Sequence, residues 1–181
     1  MNGDTNRWII FTLLVGEASG VFAGFCPSWF TVASPFFHEQ EAKPGNIHLV
    51  MLKGQWTEES AQRAVRSWLK LTTSQKANID LIAAQDDSMA MGARKAFQEL
   101  PSETERERWL GLPFLGCDGL PSTGQAWVRT GQLTATIFIP PNSGQAIEML
   151  VDALQNGKRP PERALTNAVS IPPLESLRPR K

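Results

Sequence analysis

Residues 79–92 read Ile-Asp-Leu-Ile-Ala-Ala-Gln-Asp-Asp-Ser-Met-Ala-Met-Gly, an apolar, partly β-branched run that breaks at two aspartates and continues with helical spacing. That order predicts a buried strand, a polar turn and the opening of a helix. Met89, Ala93, Ala96, Phe97 and Leu100 fall on one helical face, and Pro101 stops the run. Asp87 or Ser88 is expected to cap the helix, which leaves Asp86 at the carboxyl end of the strand. Ligands of open α/β sheets bind beyond those strand ends, so this turn is where chemistry is expected.

The same alternation extends in both directions. Upstream, residues 8–15 form a continuous apolar run followed by Gly16-Glu17-Ala18-Ser19-Gly20, the pattern of a buried strand leaving into a glycine turn. A second strand is expected at 47–52 and a helix at 57–72, with Ala61, Val65, Trp68 and Leu69 on one face and Glu58 and Glu59 complementing the dipole at its start. Trp56 falls in the turn between them. From 21 to 46, Pro27, Pro35 and Pro44 interrupt the chain and the aromatics keep no period, so only a helix over 23–32 is expected there.

Downstream, the charged run 102–108 reads as a surface connection. An apolar strand at 112–117 ends at Asp118-Gly119, so Asp118 repeats the position of Asp86. A short helix at 122–130 leads to a strand at 133–139, closed by Pro140-Pro141. The last helix opens at Asn142 with Gln145 three residues on, a capping-box pattern. Ile147, Leu150, Val151 and Leu154 are expected to form its buried face, and Asn156-Gly157 its end. A final strand at 165–171 precedes a Pro- and Arg-rich tail, 172–181, expected to fray. About six βα units predict an α/β fold: a flavodoxin-like open parallel sheet with helices on both faces and right-handed crossovers, in one domain over 1–171.

Composition narrows the function. The 181 residues carry 18 basic and 18 acidic side chains, so no electrostatic footprint for nucleic acid or an anionic membrane is present. The apolar run at 8–15 is shorter than a membrane span, follows Asp4 and has one preceding cation, Arg7, so it reads as a strand and not as a signal peptide. Cys26 and Cys117 lack the short paired spacings of a zinc site or a disulfide framework. His38 and His48 flank Glu39 and Glu41 in what reads as a solvated loop, not a metal site. Gly16 and Gly20 lack the Lys of a phosphate-binding loop. Cys117 has no His near it in sequence to make it a nucleophile. No cofactor is expected.

Three residues therefore stand out at strand-to-helix turns on one edge of the expected sheet: Trp56, Asp86 and Asp118. An aromatic plane beside carboxylates suits a sugar, the ring covering its apolar C–H face and the carboxylates accepting from its hydroxyls. The alternative reading of each is structural, a turn aromatic for Trp56 and turn or cap residues for the two aspartates.

Gln85-Asp86-Asp87-Ser88-Met89-Ala90-Met91-Gly92-Ala93 resembles the Gln-Asn-Asp-x-Met-Ala-x-Gly-Ala signature of sugar-binding (ribose/galactose-type) type I periplasmic binding proteins, the substrate-binding proteins of ABC transporters. The segment from Lys53 to Ala61 resembles the family stretch whose aromatic stacks on the sugar, and Gly131-Gln132-Leu133-Thr134-Ala135-Thr136-Ile137 resembles Gly-Lys-Leu-x-Ala-Thr-Val. The resemblance covers 47–171 and reaches back to Trp8. It implies the carboxyl-terminal lobe of such a protein, without enzymatic activity, located in the periplasm and working with the membrane permease of an ABC transporter. It carries ligand-stacking to Trp56 and ligand hydrogen bonding to Asp86 and Asp118.

The departures are specific. Asp86 stands where the family has Asn, losing a donor and adding a charge, which points to a ligand richer in donors or bearing a cation. Ile139 stands where the family often has a ligand-contacting Gln, and no Lys or Arg lies between Arg7 and Lys43. The amino-terminal lobe is absent from these residues, to be supplied by another chain or lost from a truncated, non-binding fragment. Two rivals share the architecture: the effector-binding core of a lac-repressor-type regulator, though 1–46 contains no helix-turn-helix pattern, and an enzyme on a Rossmann-like sheet, though Gly-x-Gly-x-x-Gly is absent.

Overall fold

Strands β1 (Arg7–Leu13) and β2 (Ile47–Lys53) pair in parallel from Arg7↔Ile47 to Leu13↔Lys53. They belong to a six-stranded sheet of order β2-β1-β3-β4-β5-β6, in a computed structural model that describes residues 7–13 and 47–177. The remaining strands are β3 (Ile79–Ala84), β4 (Phe114–Asp118), β5 (Ala135–Phe138) and β6 (Val169–Ile171). β1 to β5 are all parallel, so their carboxyl ends form one edge of the sheet. β6 runs antiparallel to β5. The sheet is thus an open α/β sheet, parallel as expected except in its last strand, which reverses direction.

The helices are α1 (Glu58–Leu69), α2 (Thr72–Lys76), α3 (Asp87–Gln98), α4 (Glu103–Leu110), α5 (Gly124–Arg129) and α6 (Ser143–Asn156). From β2 through β3 and β4 to β5 the chain steps along the sheet in one direction, and right-handed connections put α1 to α5 on one face. The connection between β1 and β2, with the helix expected at 23–32, lies outside the described residues. So do Cys26 and His38.

The core lies between the sheet and α1, α3 and α4. Phe97, Phe114, Ile82, Met89, Leu133 and Val65 are its largest fully buried side chains. The expected faces of α1 and α3 are the ones that pack: Ala61, Val65 and Trp68 are buried, as are Met89, Ala93, Ala96 and Phe97. The two helices cross closely, because Gly92 has no side chain to hold α3 away from the Glu58 carbonyl. Lys95 with Glu58, and Arg66 with Glu99, pair along the rim of that crossing.

Two expectations about the helices that pack on the sheet are corrected. The charged run 102–108 is largely helix α4, capped where the Ser102 side chain accepts from the Glu105 amide at 3.3 Å. Its anchor is buried Trp109, stacked on Phe97 at 4.9 Å and edge-on to Trp68 at 5.6 Å. One large inward side chain suffices to dock a helix this short, so no apolar period announces it. Asp86, not Asp87 or Ser88, caps α3, its Oδ1 accepting from the Met89 amide at 2.6 Å.

The end of the chain differs more. Ile147, Leu150, Val151 and Leu154 are exposed, and α6 buries no residue at all. Asn142 caps α6 without a side-chain hydrogen bond, while Gly157 ends it in a left-handed conformation as expected. The strand expected at 165–171 is confined to Val169–Ile171, and a 3-10 turn follows at Leu174–Ser176 within the stretch expected to fray.

Candidate functional site

The register aligns the strand ends. Leu13 pairs with Lys53, Thr12 with Ala84, and Asp118 with Phe138. Trp56 lies three residues beyond β2, Asp86 two beyond β3, and Asp118 is the last residue of β4. All three therefore occupy the same edge. Asp86 and Asp118 stand on neighbouring strands, whereas β1 separates β2 from β3, a gap of two strand spacings or roughly 10 Å.

Trp56 is 56% exposed and has a φ of 57°, in the left-handed region that costs a bulky residue strain. Buried Ser60 holds the turn on both sides of it. The Gln55 amide donates to Ser60 Oγ at 2.8 Å, and Ser60 Oγ donates to the Thr57 carbonyl at 2.8 Å. Thr57 caps α1 by accepting from the Ser60 amide at 3.2 Å. A large ring is thus kept in solvent by a turn that Ser60 and Thr57 pin on both sides.

Asp86 is 5% exposed. Its Oδ1 is committed to the Met89 amide, but its Oδ2 is buried with no hydrogen-bond partner. Burial pushes this carboxyl above the usual carboxylate range, with the Met89 and Ser88 amides opposing the shift. An oxygen in that condition either takes up a proton or receives a donor.

Asp118 is solvent-exposed and has a φ of 94°. Partial desolvation of its carboxyl raises its pKa, and the neighbouring Asp86 charge adds to the rise. The turn beyond it is held by Gln125 Nε2, which donates to the Gly119 carbonyl at 2.8 Å.

The residue that builds this corner is Asp87, for which the sequence alone suggests only a helix cap. Thr136 Oγ1 donates to its Oδ1 at 2.5 Å, and the Gly119 amide donates to its Oδ2 at 2.9 Å. Gly116 and Gly124 lie so close that a Cβ on either would overlap the carboxylate. Burial, opposed by those two hydrogen bonds and reinforced by the charges of Asp118 and Asp86, pushes Asp87 up to about 6. One sequence signal was available: a glycine inside a strand, here Gly116, marks close approach of another group.

Three carboxyl groups thus share one corner, and the titrations of all three are shifted upward. Among the described residues no cluster of His, Cys, Asp and Glu could hold a metal ion, and no helix is long and apolar enough to cross a membrane. Cys117 is buried. A shallow concavity of about 400 Å³ lies instead along the flank of α1, lined by Lys53, Gln55, Ser60, Arg63, Ala64 and Ser67. It includes none of the three strand-end residues. Ile139, just past β5, is 39% exposed.

A parallel sheet with polar and aromatic side chains beyond the carboxyl ends of its strands is the general architecture of α/β ligand-binding domains. The family model of the periplasmic binding protein domain matches residues 33–159, and the chain belongs to that family. The D-galactose/methyl-galactoside binding periplasmic protein MglB of Haemophilus influenzae is 33% identical over 107 residues, which span 58% of this chain and 29% of that protein.

Solved structures agree on the fold. A galactofuranose binding protein superposes with a TM-score of 0.65 at 21% identity, over 92% of this chain and 52% of that one. An ABC transporter periplasmic solute binding protein from Actinobacillus succinogenes with bound D-allose gives 0.63 at 24% identity, over 93% and 52%. The Caulobacter myo-inositol binding protein gives 0.63 at 20% identity, over 91% and 50%. The chain spans about half the length of these structures, as one lobe of the type I periplasmic-binding-protein fold.

Proposed function

We propose that this chain is a ligand-receiving lobe, over residues 1–171, of a periplasmic solute-binding protein, and that its strand-end edge takes a small sugar or polyol. Trp56 stacks on the apolar face of the ring, and Asp86 and Asp118 accept from its hydroxyls. The role is binding without turnover, in the service of an ABC-type importer whose membrane permease is the downstream partner. The observation that carries this reading is the pairing of an exposed Trp56, kept in solvent by a bonded turn, with a buried Asp86 whose Oδ2 lacks a donor. A polyhydroxylated ligand supplies that donor. The names of the relatives, which include galactose, D-allose and myo-inositol binders, support the same ligand class.

Asp86 also modifies the choice of ligand. Ionised, it accepts only, whereas an amide in its place would accept and donate. This favours a ligand that turns donors, or an amino group, toward β3. A single lobe leaves its ligand half in water, whereas tight sites bury roughly 70–90% of theirs, so the affinity of this chain alone is expected in the millimolar range. A second lobe, carried by another chain or by further residues, would complete the site.

The test is a protein-observed NMR titration with pentoses, hexoses and amino sugars, which detects millimolar binding. Shifts confined to Trp56, Asp86 and Asp118 are the expected result. A folded spectrum that no sugar perturbs would overturn the ligand assignment, and a micromolar dissociation constant would overturn the half-site argument.

A further inference from the structure

The three carboxyl groups of the strand-end corner are not equivalent. Asp87 has both oxygens engaged, by the Thr136 hydroxyl and the Gly119 amide, and offers a ligand only its charge. Asp86 is 5% exposed; its Oδ1 accepts from the Met89 amide, while its Oδ2 is buried with no hydrogen-bond partner. Asp118 is exposed at the end of the neighbouring strand. Asp86 and Asp118 both act on Asp87, and Asp86 acts on Asp118, each charge raising the carboxyl it faces.

A ligand that settles this corner has two deficits to meet, a missing donor at Asp86 Oδ2 and the repulsion between Asp86 and Asp118. A hydroxyl brings one hydrogen and no charge, so it meets the first and leaves the second in place. An ammonium brings three donors and a positive charge, and it favours the ionised form of both carboxyls. β3 and β4 are adjacent in the sheet, at a spacing of roughly 5 Å. One nitrogen can bridge acceptors so separated with short, charge-assisted hydrogen bonds. A metal ion would bring charge too, but among the described residues no group of His, Cys, Asp and Glu could hold one. The cation is therefore part of an organic ligand.

We infer that Asp86 and Asp118 select a ligand bearing a protonated amino group, an aminated sugar or cyclitol, whose ammonium sits between Asp86 Oδ2 and the Asp118 carboxylate. This rests on the reading of the edge as a sugar site and narrows it to the cationic members of that class. The ammonium takes the Asp86 oxygen that the protein leaves unused, so the Met89 hydrogen bond that starts α3 stays in place.

The test is a protein-observed NMR titration with four kinds of probe: neutral hexoses, the same hexoses with one hydroxyl exchanged for an amino group at each ring position in turn, their N-acetylated forms, and a plain alkylamine. One aminated hexose should bind roughly tenfold or more tightly than its parent, the margin of a hydrogen bond to a charged group. That margin should shrink as salt is raised and vanish on N-acetylation, which removes the charge. Asp86→Asn keeps a capping side chain at the start of α3 and should bind parent and aminated hexose alike, and Asp118→Asn should narrow the margin. Parent hexoses bound as tightly as every aminated form, or a preference that survives Asp86→Asn, overturn the inference and leave the sugar reading standing. An alkylamine that shifts Asp86 and Asp118 as strongly as any aminated hexose, with Trp56 unmoved, retires the sugar reading and leaves the cation site. A folded chain that none of the probes perturbs overturns both.

Discussion

Thr136 on β5 and Asp87 at the start of α3 lie 49 residues apart and are joined by a 2.5 Å hydrogen bond, both side chains being buried. With the Gly119 amide on its other oxygen, the Asp87 carboxylate fastens α3, the turn after β4 and strand β5 to one another. Asp87→Ala leaves two buried donors unpaired, a loss of about 1–3 kcal/mol. Urea denaturation should show the lower midpoint, and the Gly119 amide should exchange faster in native conditions. A wild-type midpoint would mean that water replaces the carboxylate without cost.

The same carboxyl makes stability depend on pH. Its folded value of about 6 lies above the ordinary range of an aspartate carboxyl, so the folded state holds this proton more tightly than the unfolded chain does. Stability should therefore fall as pH rises through about 4 to 6 and level off above. Asp86 and Asp118 are shifted in the same direction. Asp87→Asn, in which the Thr136 hydroxyl can turn to accept, should flatten the slope in chemical denaturation over that window. An unchanged slope would assign the effect to the two neighbours.

Trp56 separates function from stability. A left-handed backbone costs a non-glycine residue about 1–2 kcal/mol, and the ring gains little burial in return. Trp56→Gly should raise the melting temperature relative to wild type, Trp56→Ala should leave it nearly unchanged, and both should lose the sugar response in NMR. Retained sugar shifts in either variant would remove Trp56 from the site.

Two glycines make a controlled pair. Gly92→Ala forces a methyl group against the Glu58 carbonyl where α1 and α3 cross, and overpacking of this kind costs about 1–3 kcal/mol. A Cβ on Gly144 in α6 meets nothing, so Gly144→Ala should be neutral or stabilising by up to about 1 kcal/mol. Thermal melts of the two variants should move in opposite directions or differ by several degrees.

Trp109 should behave as the anchor of α4. Trp109→Ala removes the stack on Phe97 and the edge contact with Trp68, and truncation of a buried aromatic costs about 3–5 kcal/mol. Near-ultraviolet circular dichroism and the melting midpoint report it. A loss below about 1 kcal/mol would show that α4 rests on the body without supporting it.

Where a residue's role depends on its sequence neighbours, the sequence was readable. The strands, α1, α3 and their inward faces follow from apolar spacing, and the turn positions of Trp56, Asp86 and Asp118 follow from where the strands stop. α4 escaped because its one buried side chain sets no period. Asp87 looks like a cap in sequence because its partners, Thr136, Gly119, Gly116 and Gly124, come from distant segments, and only the pairing of β4 with β5 brings them to it.

By itself, then, the sequence determined the alternation of strands and helices, the parallel run from β1 to β5 and the edge where polar residues gather, because period and turn chemistry act over a few residues. Tertiary structure alone decided the reversal of β6, the outward stripe of α6 and the enclosure of Asp87. An apolar stripe records that a face needs covering, but what covers it depends on chain segments, or partners, far away along the sequence.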